Sequence, residues 1–312
     1  MMRALKFMLL LAVLALGGVT GYVYAFPEKA AAGAIAAERN RSHLVRKEIQ
    51  IPGGLTYVYL EGGDPKGAPL VLLHGFGANK DNFTRIARLL PKYRLLIPDH
   101  IGFGESSHPQ DASYAPPAQV ERLHAFAQAL NLGKFHVGGS SMGGQIAVSW
   151  GALHPEEVQS LWLLDAAGAW SAPDSELVTI LKAGGKNPLM ATNEDEFASI
   201  FSFVMAKPPF VPRPILNVFA QERIRNNLLE QRIFDDVRGD QTEARINGLP
   251  LPTLIVFGEA DRAINAGAGE VFHKLLPNSQ LVIMKGIGHL PMLEDPEATA
   301  KDYLEFRAKL GS

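Results

Sequence analysis

The sequence predicts an α/β fold in which helices cover a mostly parallel sheet. From Leu44 onward, short apolar runs bounded by glycine or proline alternate with longer helical stretches, as is typical of this class. Of the 312 residues, 47% are hydrophobic, and 30 basic residues nearly balance 32 acidic ones. This composition excludes a disordered chain and provides no basic surplus for binding nucleic acid. The chain has no cysteine, which excludes disulfides, thiolate metal sites and cysteine nucleophiles.

Residues 1–27 predict a transmembrane anchor. Phe7 to Phe26 is a run of 20 residues without a charge, and about 20 residues at 1.5 Å each span a hydrocarbon core of ~30 Å. A cleaved signal peptide is the alternative, because basic residues precede the run and Val23-Tyr24-Ala25 offers a cleavage site. The run is longer than the apolar core of a signal peptide, roughly 7 to 15 residues, which favours a retained anchor.

The charges beside this span predict a single pass through the inner (cytoplasmic) membrane, with the rest of the chain on the periplasmic side. Residues 28–44 predict a juxtamembrane helix that either lies along the membrane surface or forms a solvated linker. Gly17, Gly18 and Gly21 permit close contact between two such spans, so a homodimer through the N-terminal helix is a further possibility.

Eight strands are predicted after this segment. The first two flank a turn at residues 51–54 and form a hairpin, and the six that follow belong to the buried sheet. The predicted strands are Leu44 to Gln50, Leu55 to Leu60, Pro69 to Leu73, Tyr93 to Ile97, Phe135 to Gly138, Ser160 to Leu164, Thr253 to Phe257 and Gln280 to Met284. Residues 45–168 and 250–312 therefore form the core. Ligands of open α/β sheets bind at the carboxyl ends of the strands, and polar residues follow several strands here.

Residues 169–249 interrupt the alternation and predict a helical cap, or lid, over the sheet. Structureless loops longer than about 15 residues are uncommon, so an extra helical layer explains this stretch better. The stretch contains the apolar residues Phe197, Phe201, Phe203, Met205 and Phe210. Two interpretations of these side chains are open: the cap's own core, or the lining of a site for an apolar chain.

The segment from Gly139 to Gly143 has the pattern G-x-S-x-G between an apolar strand and a helical stretch. A nucleophile elbow requires this context. The sharp turn strains the serine backbone, and the glycines allow close approach of the main chain. The serine hydroxyl then lies at a helix N-terminus, where free N–H groups favour developing negative charge. Ser141 is therefore the candidate nucleophile.

A serine hydroxyl needs a base, so a histidine held by a carboxylate is expected in the chain order Ser, Asp or Glu, His. His289 lies in a glycine-flanked loop after the last strand, whereas His273 lies in a helical pattern and is better explained as a surface or packing residue. Asp261 follows a buried strand in the turn G-E-A-D and is the preferred acid. Asp165, directly after the preceding strand, is the alternative acid.

An oxyanion hole needs two backbone N–H donors. One is expected from Met142, the residue after the nucleophile, and the other from Phe76, in the glycine-containing loop after an early strand. His74 is expected to brace that loop rather than act as a second base. Residues 98–106 mimic part of a dinucleotide-binding loop but lack its glycine spacing. No histidine pair has metal-ligand spacing with an acidic partner, so neither a metal nor another cofactor is expected.

From about Leu44 to the C-terminus the chain resembles the α/β-hydrolase family. Five motifs occur in the family's order: H-G-F-G-A-N-K-D-N-F at His74 to Phe83, D-H-I-G-F-G-E-S at Asp99 to Ser106, G-S-S-M-G-G at Gly139 to Gly144, G-E-A-D at Gly258 to Asp261 and G-I-G-H at Gly286 to His289. His100-Ile101 departs from the apolar residue and proline that the family usually has. Within the family the chain looks like the membrane-anchored bacterial lipases and phospholipases A, which are related to monoacylglycerol lipases.

This resemblance implies a catalytic triad of Ser141, Asp261 and His289, oxyanion donors at Phe76 and Met142, and an apolar acyl tunnel under the cap. It implies a serine carboxylic-ester hydrolase that acts on membrane lipids through an acyl-enzyme, with a lipid or fatty-acyl ester and the bilayer as partners. The alternative is a hydrolase of soluble substrates, either a C–C bond hydrolase or a small-ester esterase. The apolar N-terminus disfavours that alternative, because a soluble substrate gives no reason for an anchor.

Overall fold

The computed structural model describes residues 17–311. These residues contain an eight-stranded sheet with the strand order β1-β2-β4-β3-β5-β6-β7-β8. Strand β2 pairs antiparallel with β1 and with β4, and the remaining pairings are parallel. The strands are β1 (Val45–Ile51), β2 (Leu55–Gly63), β3 (Pro69–Leu73), β4 (Arg94–Pro98), β5 (Phe135–Ser140), β6 (Val158–Leu164), β7 (Thr253–Gly258) and β8 (Ser279–Met284).

All eight predicted strands are confirmed, and the mostly parallel α/β fold with them. The clearest difference is in β2, which continues to Gly63 instead of ending at Leu60. Its last residues still pair with β4, and Arg94 Nε donates to Glu61 Oε1 over 2.8 Å. The ion pair stabilises the polar residue Glu61 within the strand. A prediction from the apolar pattern alone therefore ends the strand too early.

Helices cover both faces of the sheet. They are α1 (Pro27–Arg41), α2 (Thr84–Ala87), α3 (Pro116–Ala129), α4 (Met142–Leu153), α5 (Glu176–Lys182), α6 (Glu194–Val204), α7 (Arg213–Arg225), α8 (Asn227–Arg238), α9 (Thr242–Ile246), α10 (Gly267–Leu275), α11 (Pro291–Glu294) and α12 (Pro296–Leu310). Alternate residues of β3 enter two separate cores: Val71 packs with α3, α4 and α10, whereas Leu70 packs with α2 and α12. Apolar residues on both faces explain why the central strands have no polar side.

Helices α5 to α9, which lie between β6 and β7, are called the cap below. The apolar residues predicted there mostly pack against one another. Phe203 and Met205 are buried in one cluster and Phe197 in a second, while Phe201 contacts both. Phe210 is the exception, since 92% of it is exposed. The cluster of Phe197 therefore belongs to the cap alone, whereas that of Phe203 and Met205 also includes Ala263, Leu290 and Leu293 from outside the cap.

No helix in the described residues is long and apolar enough to cross a membrane. Residues 7–16, half of the predicted span Phe7 to Phe26, lie outside the described residues, so the anchor stays a prediction. Residues 17–25 are helical, and Pro27 begins α1 after a break at Phe26.

Helix α1 corresponds to the predicted juxtamembrane helix and ends at Arg41 rather than at residue 44. It is attached to the core, since Arg39 donates two hydrogen bonds of 2.7 Å to the carboxylate of Asp81. Ser42 Oγ donates to the carbonyl of Thr84, and Ala31 is buried. These contacts attach the C-terminal end of the segment to the core, and its placement along the membrane surface or in solvent stays a prediction.

Candidate active site

Ser141 occupies the turn between β5 and α4 with φ 56° and ψ −120°. This left-handed conformation is strained for a residue other than glycine and recurs at functional sites. The neighbouring glycines allow the turn to close. A Cβ on Gly139 would lie 2.2 Å from the carbonyl oxygen of Gly143, and a Cβ on Gly143 would lie 2.1 Å from that of Leu73. The pattern G-x-S-x-G is therefore a packing requirement that holds Ser141 at the N-terminus of α4.

The loop after β3, residues 74–77, passes directly over the serine and is called the oxyanion loop below. A Cβ on Gly75 would lie 3.1 Å from Ser141 Cβ and 3.8 Å from Ser141 Oγ. Neither Phe76 N–H nor Met142 N–H donates a hydrogen bond to another group in residues 17–311. Both N–H groups are thus free to bind a substrate oxygen, and their pairing as an oxyanion hole stays a prediction.

His74 fixes the peptide that carries one of these donors. Its Nε2 accepts the N–H of His100 over 3.0 Å, so in the neutral ring Nδ1 carries the proton and donates to Gly75 O over 2.8 Å. Burial lowers the pKa of His74 to about 3, which keeps the ring neutral. Because C=O and N–H of a trans peptide point in opposite directions, binding Gly75 O turns Phe76 N–H away from His74. His74 thus braces the loop, as predicted.

His289 and Asp261 are in direct contact. Nδ1 of His289 lies 2.6 Å from Oδ2 of Asp261, and the two side chains are 5% and 0% exposed. Oδ1 of Asp261 accepts the N–H groups of Ala263 and Ile264 over 2.7 and 3.0 Å. The carboxylate is therefore fixed and orients the imidazole. No hydrogen bond among the described residues joins His289 to Ser141 Oγ, and catalytic hydrogen bonds often tighten only with substrate bound.

His273, the alternative base, lies away from this group on α10. Its Nδ1 contacts Ser279 Oγ over 2.8 Å at an exposed position. It is a surface residue, as the helical pattern indicated.

Asp165, the alternative acid, also reaches the site. One atom each of Asp165, Asp261 and His289 lie within 4.8 Å of one another. Asp165 is fully buried with φ 44°, and its Oδ1 accepts the N–H of Gly258 over 2.8 Å. Burial raises the pKa of Asp165 well above its usual value, and the charge of Asp261 raises it further. The shift favours the protonated form of Asp165 beside the carboxylate that binds His289.

Glu294 holds the His289 loop and was not singled out in the sequence. Its Oε1 accepts the N–H of Gly288 over 3.1 Å, and its Oε2 accepts that of Ala206 over 2.8 Å. The backbone N–H of His289 donates to Val204 O over 2.8 Å. The histidine is therefore positioned by the cap as well as by the sheet. A single sequence contains no pattern that predicts this contact.

Residues 99–106 form a turn around Asp99. Asp99 Oδ2 accepts Lys80 Nζ over 2.6 Å, and the two side chains are 0% and 2% exposed. A Cβ on Gly104 would lie 2.3 Å from Asp99 Cγ, so this glycine serves the turn. The loop therefore has a structural role, which agrees with the rejection of dinucleotide binding on the basis of its glycine spacing.

Sequence spacing did not predict a second group of possible metal ligands. One atom each of His124, His154 and Glu157 lie within 4.8 Å of one another near the start of β6. The two imidazole rings stack 4.2 Å apart at an angle of 9°. Lone pairs lie in the ring planes, so two nearly parallel rings do not direct them at one ion. The histidines are 30 positions apart in the sequence, which explains why their proximity was missed.

Comparison with known proteins identifies the fold family. Residues 68–296 match the model of a protein family that is described as the alpha/beta hydrolase fold. The chain belongs to the α/β-hydrolase family. This α/β-hydrolase is 45% identical over 282 residues to Lipase 1 of Psychrobacter immobilis, with 88% of each chain covered. It is 31% identical over 274 residues to Monoacylglycerol lipase ABHD6 of Homo sapiens, with 81% of this chain and 80% of that one covered.

A solved structure supports the same assignment. The crystal structure of a membrane phospholipase A, described as a bacterial virulence factor, matches with a TM-score of 0.87 and 38% identity. The match covers 96% of this chain and 97% of that one. The resemblance to lipases and monoacylglycerol lipases is thereby confirmed, and this α/β-hydrolase is a carboxylic-ester hydrolase.

Proposed function

We propose that this α/β-hydrolase cleaves the esters of membrane lipids with a triad of Ser141, His289 and Asp261. The observation that carries the proposal is the 2.6 Å contact between His289 Nδ1 and Asp261 Oδ2 in the same chain as an elbow serine. The similar proteins named above are called a lipase, a monoacylglycerol lipase and a phospholipase A, which supports a lipid ester as substrate.

The proposed reaction begins when Ser141 Oγ attacks the ester carbonyl and its proton passes to His289 Nε2. Asp261 stays ionised and stabilises the imidazolium, while the N–H groups of Phe76 and Met142 hold the oxyanion. His289 then protonates the leaving alcohol, which leaves an acyl group on Ser141. Water, deprotonated by His289, attacks this acyl-enzyme and releases the fatty acid.

The membrane context belongs to the same proposal. A retained anchor at residues 1–27 would place the enzyme in the inner membrane as a single-pass protein, with its catalytic part on the periplasmic side. Support comes from α1, which contacts cap helix α7 and is attached to the core through Arg39. The helix that follows the predicted anchor is thus held against the cap. A homodimer through Gly17, Gly18 and Gly21 stays a prediction.

The test is hydrolysis by the full-length, detergent-extracted protein of p-nitrophenyl esters, monoacylglycerol, lysophospholipid, diacyl phospholipid and a ring-cleavage diketone. Ser141→Ala provides the blank. Ser140→Ala is the matched control, because Ser140 is buried and its Oγ has no hydrogen-bond partner among the described residues. We expect glycerolipid turnover that Ser141→Ala abolishes and Ser140→Ala keeps. Turnover restricted to short esters or to the diketone would contradict the lipid proposal.

A further inference from the structure

Arg223 reaches from cap helix α7 down to the oxyanion loop. Its Nη1 donates to the carbonyl oxygen of Gly77 over 2.9 Å, and its Cζ lies 5.6 Å from the ring centroid of Phe76. Gly77 has φ 66°, and a Cβ at this position would lie 2.2 Å from Arg223 Cζ. The guanidinium therefore packs against the loop with no space between them, and Gly77 is required for this close approach.

The same guanidinium is bound to two other parts of the cap. Nη2 donates to Leu189 O over 2.7 Å, and Nε donates to Glu230 Oε2 over 2.7 Å. Arg223 and Glu230 are 8% and 2% exposed. Burial raises the pKa of Glu230, and the charge of Arg223 opposes that rise. A buried charge of this kind is stable only while its partner stays in place, so the contact depends on how α7 and α8 pack.

The loop is thus held from two sides around the peptide that carries Phe76 N–H. On the inner side, His74 binds Gly75 O. On the outer side, Arg223 binds Gly77 O and covers the Phe76 ring, which also contacts Phe234 of α8 at 5.5 Å. Only the outer contacts come from the cap.

We propose that Arg223 is a positioning residue that holds the oxyanion loop in its reactive shape only while the cap is seated. This inference rests on the proposed function, because it requires Phe76 N–H to bind the oxyanion. Movement of α7 away from the sheet would remove the guanidinium from Gly77 O and from the Phe76 ring together. The chemical step would then weaken even though Ser141, His289 and Asp261 stay in place.

The test compares Arg223→Met and Arg223→Lys with the wild type on a soluble p-nitrophenyl ester and with a fluorophosphonate probe. Both reactions develop negative charge on an oxygen in the oxyanion hole. Arg225→Met is the matched control, because Arg225 is exposed on the same helix and has no hydrogen-bond partner among the described side chains. Unfolding temperature establishes that each variant is folded, and Arg223→Lys keeps the test valid if Arg223→Met does not fold.

We expect Arg223→Met to lower kcat by at least about 10-fold and to change KM by less than about 2-fold. Loss of a whole oxyanion donor typically lowers kcat by roughly 10² to 10³. The kcat of Arg223→Lys should lie between those of Arg223→Met and the wild type, because an ammonium group keeps the charge but lacks the planar set of donors of a guanidinium. Unchanged kcat in both folded variants, or a loss that falls on KM alone, would overturn the inference. Failure of the wild type and Arg225→Met to hydrolyse any ester would instead overturn the proposed function.

Discussion

Carboxyl oxygens of Asp165 and Asp261 lie within 4.8 Å of each other, although only Asp261 is hydrogen-bonded to His289. The arrangement follows from the sheet. Strands β6 and β7 are parallel neighbours, so the residues after their carboxyl ends emerge side by side. Two adjacent acids in a buried site cannot both be ionised without a large cost, and they therefore take different roles.

We expect Asp261→Asn to lower kcat for ester hydrolysis by about 10⁴-fold, because the neutral amide no longer stabilises the imidazolium or fixes its tautomer. Asp165→Asn should stay within about 10-fold of the wild type, since asparagine resembles the protonated acid. Steady-state kinetics on a p-nitrophenyl ester measures both. A larger loss at Asp165 would show that the acid has been assigned to the wrong strand.

The raised pKa of Asp165 predicts a pH-dependent stability difference between the wild type and Asp165→Asn. In the unfolded chain this carboxyl group ionises near pH 4, whereas in the folded protein it stays protonated to a higher pH. Above about pH 4 the unfolded state binds fewer protons, so the free energy of unfolding of the wild type falls as pH rises towards the folded pKa. Asparagine has no proton to lose. Relative to the wild type, Asp165→Asn should therefore gain stability over this window, as urea unfolding at several pH values would measure. A difference that is independent of pH would contradict the assignment.

Lys80→Met should lower the free energy of unfolding by about 3–5 kcal/mol at neutral pH, because it leaves the buried carboxylate of Asp99 without its cation. Lys47→Met is the control. Lys47 pairs with Glu61 over a similar 2.7 Å but is 48% exposed, so its loss should cost less than about 1 kcal/mol. Urea unfolding measures both, and equal losses would refute the distinction.

The same substitution should act in opposite directions at two glycines. Gly33 lies in α1 with open space around it, so Gly33→Ala should stabilise the protein by up to about 1 kcal/mol. Gly143→Ala should destabilise it by about 1–3 kcal/mol and reduce activity, because the new Cβ would press on Leu73 O beside the nucleophile. Unfolding temperature and ester turnover measure the two effects. Retention of full activity by Gly143→Ala would contradict the packing argument for the elbow.

Most of the sheet and the residues of the proposed triad could be predicted from the sequence because their patterns are local. Apolar runs bounded by glycine or proline mark the strands, and the motif around Ser141 combines a steric need with a position between strand and helix. The order of Asp261 and His289 then follows from the order of β7 and β8. Each of these inferences needs only a short window of sequence.

The contacts that hold the site could not be predicted in this way. Arg223 and Gly77 are 146 positions apart, and Arg39 and Asp81 are 42 apart. An arginine in an amphipathic helix is more often solvated than buried, so nothing near Arg223 in the sequence distinguishes it from Arg225. Only the packing of the cap on the sheet makes one of them a buried contact and leaves the other exposed.

The apolar packing of the cap has a practical consequence for protein engineering. Because Phe197 packs in a cluster of residues that all lie between β6 and β7, this stretch forms a cassette that could be exchanged with that of a related enzyme to change the substrate, if the donor keeps the packing of Phe203 against Ala263 and Leu290. A chimera of this kind would keep its nucleophile, base and acid but would lose the guanidinium on Gly77 unless the donor cap supplied one. Transplanted caps should therefore be chosen by the match of this arginine and its glutamate partner, ahead of the shape of the pocket they enclose.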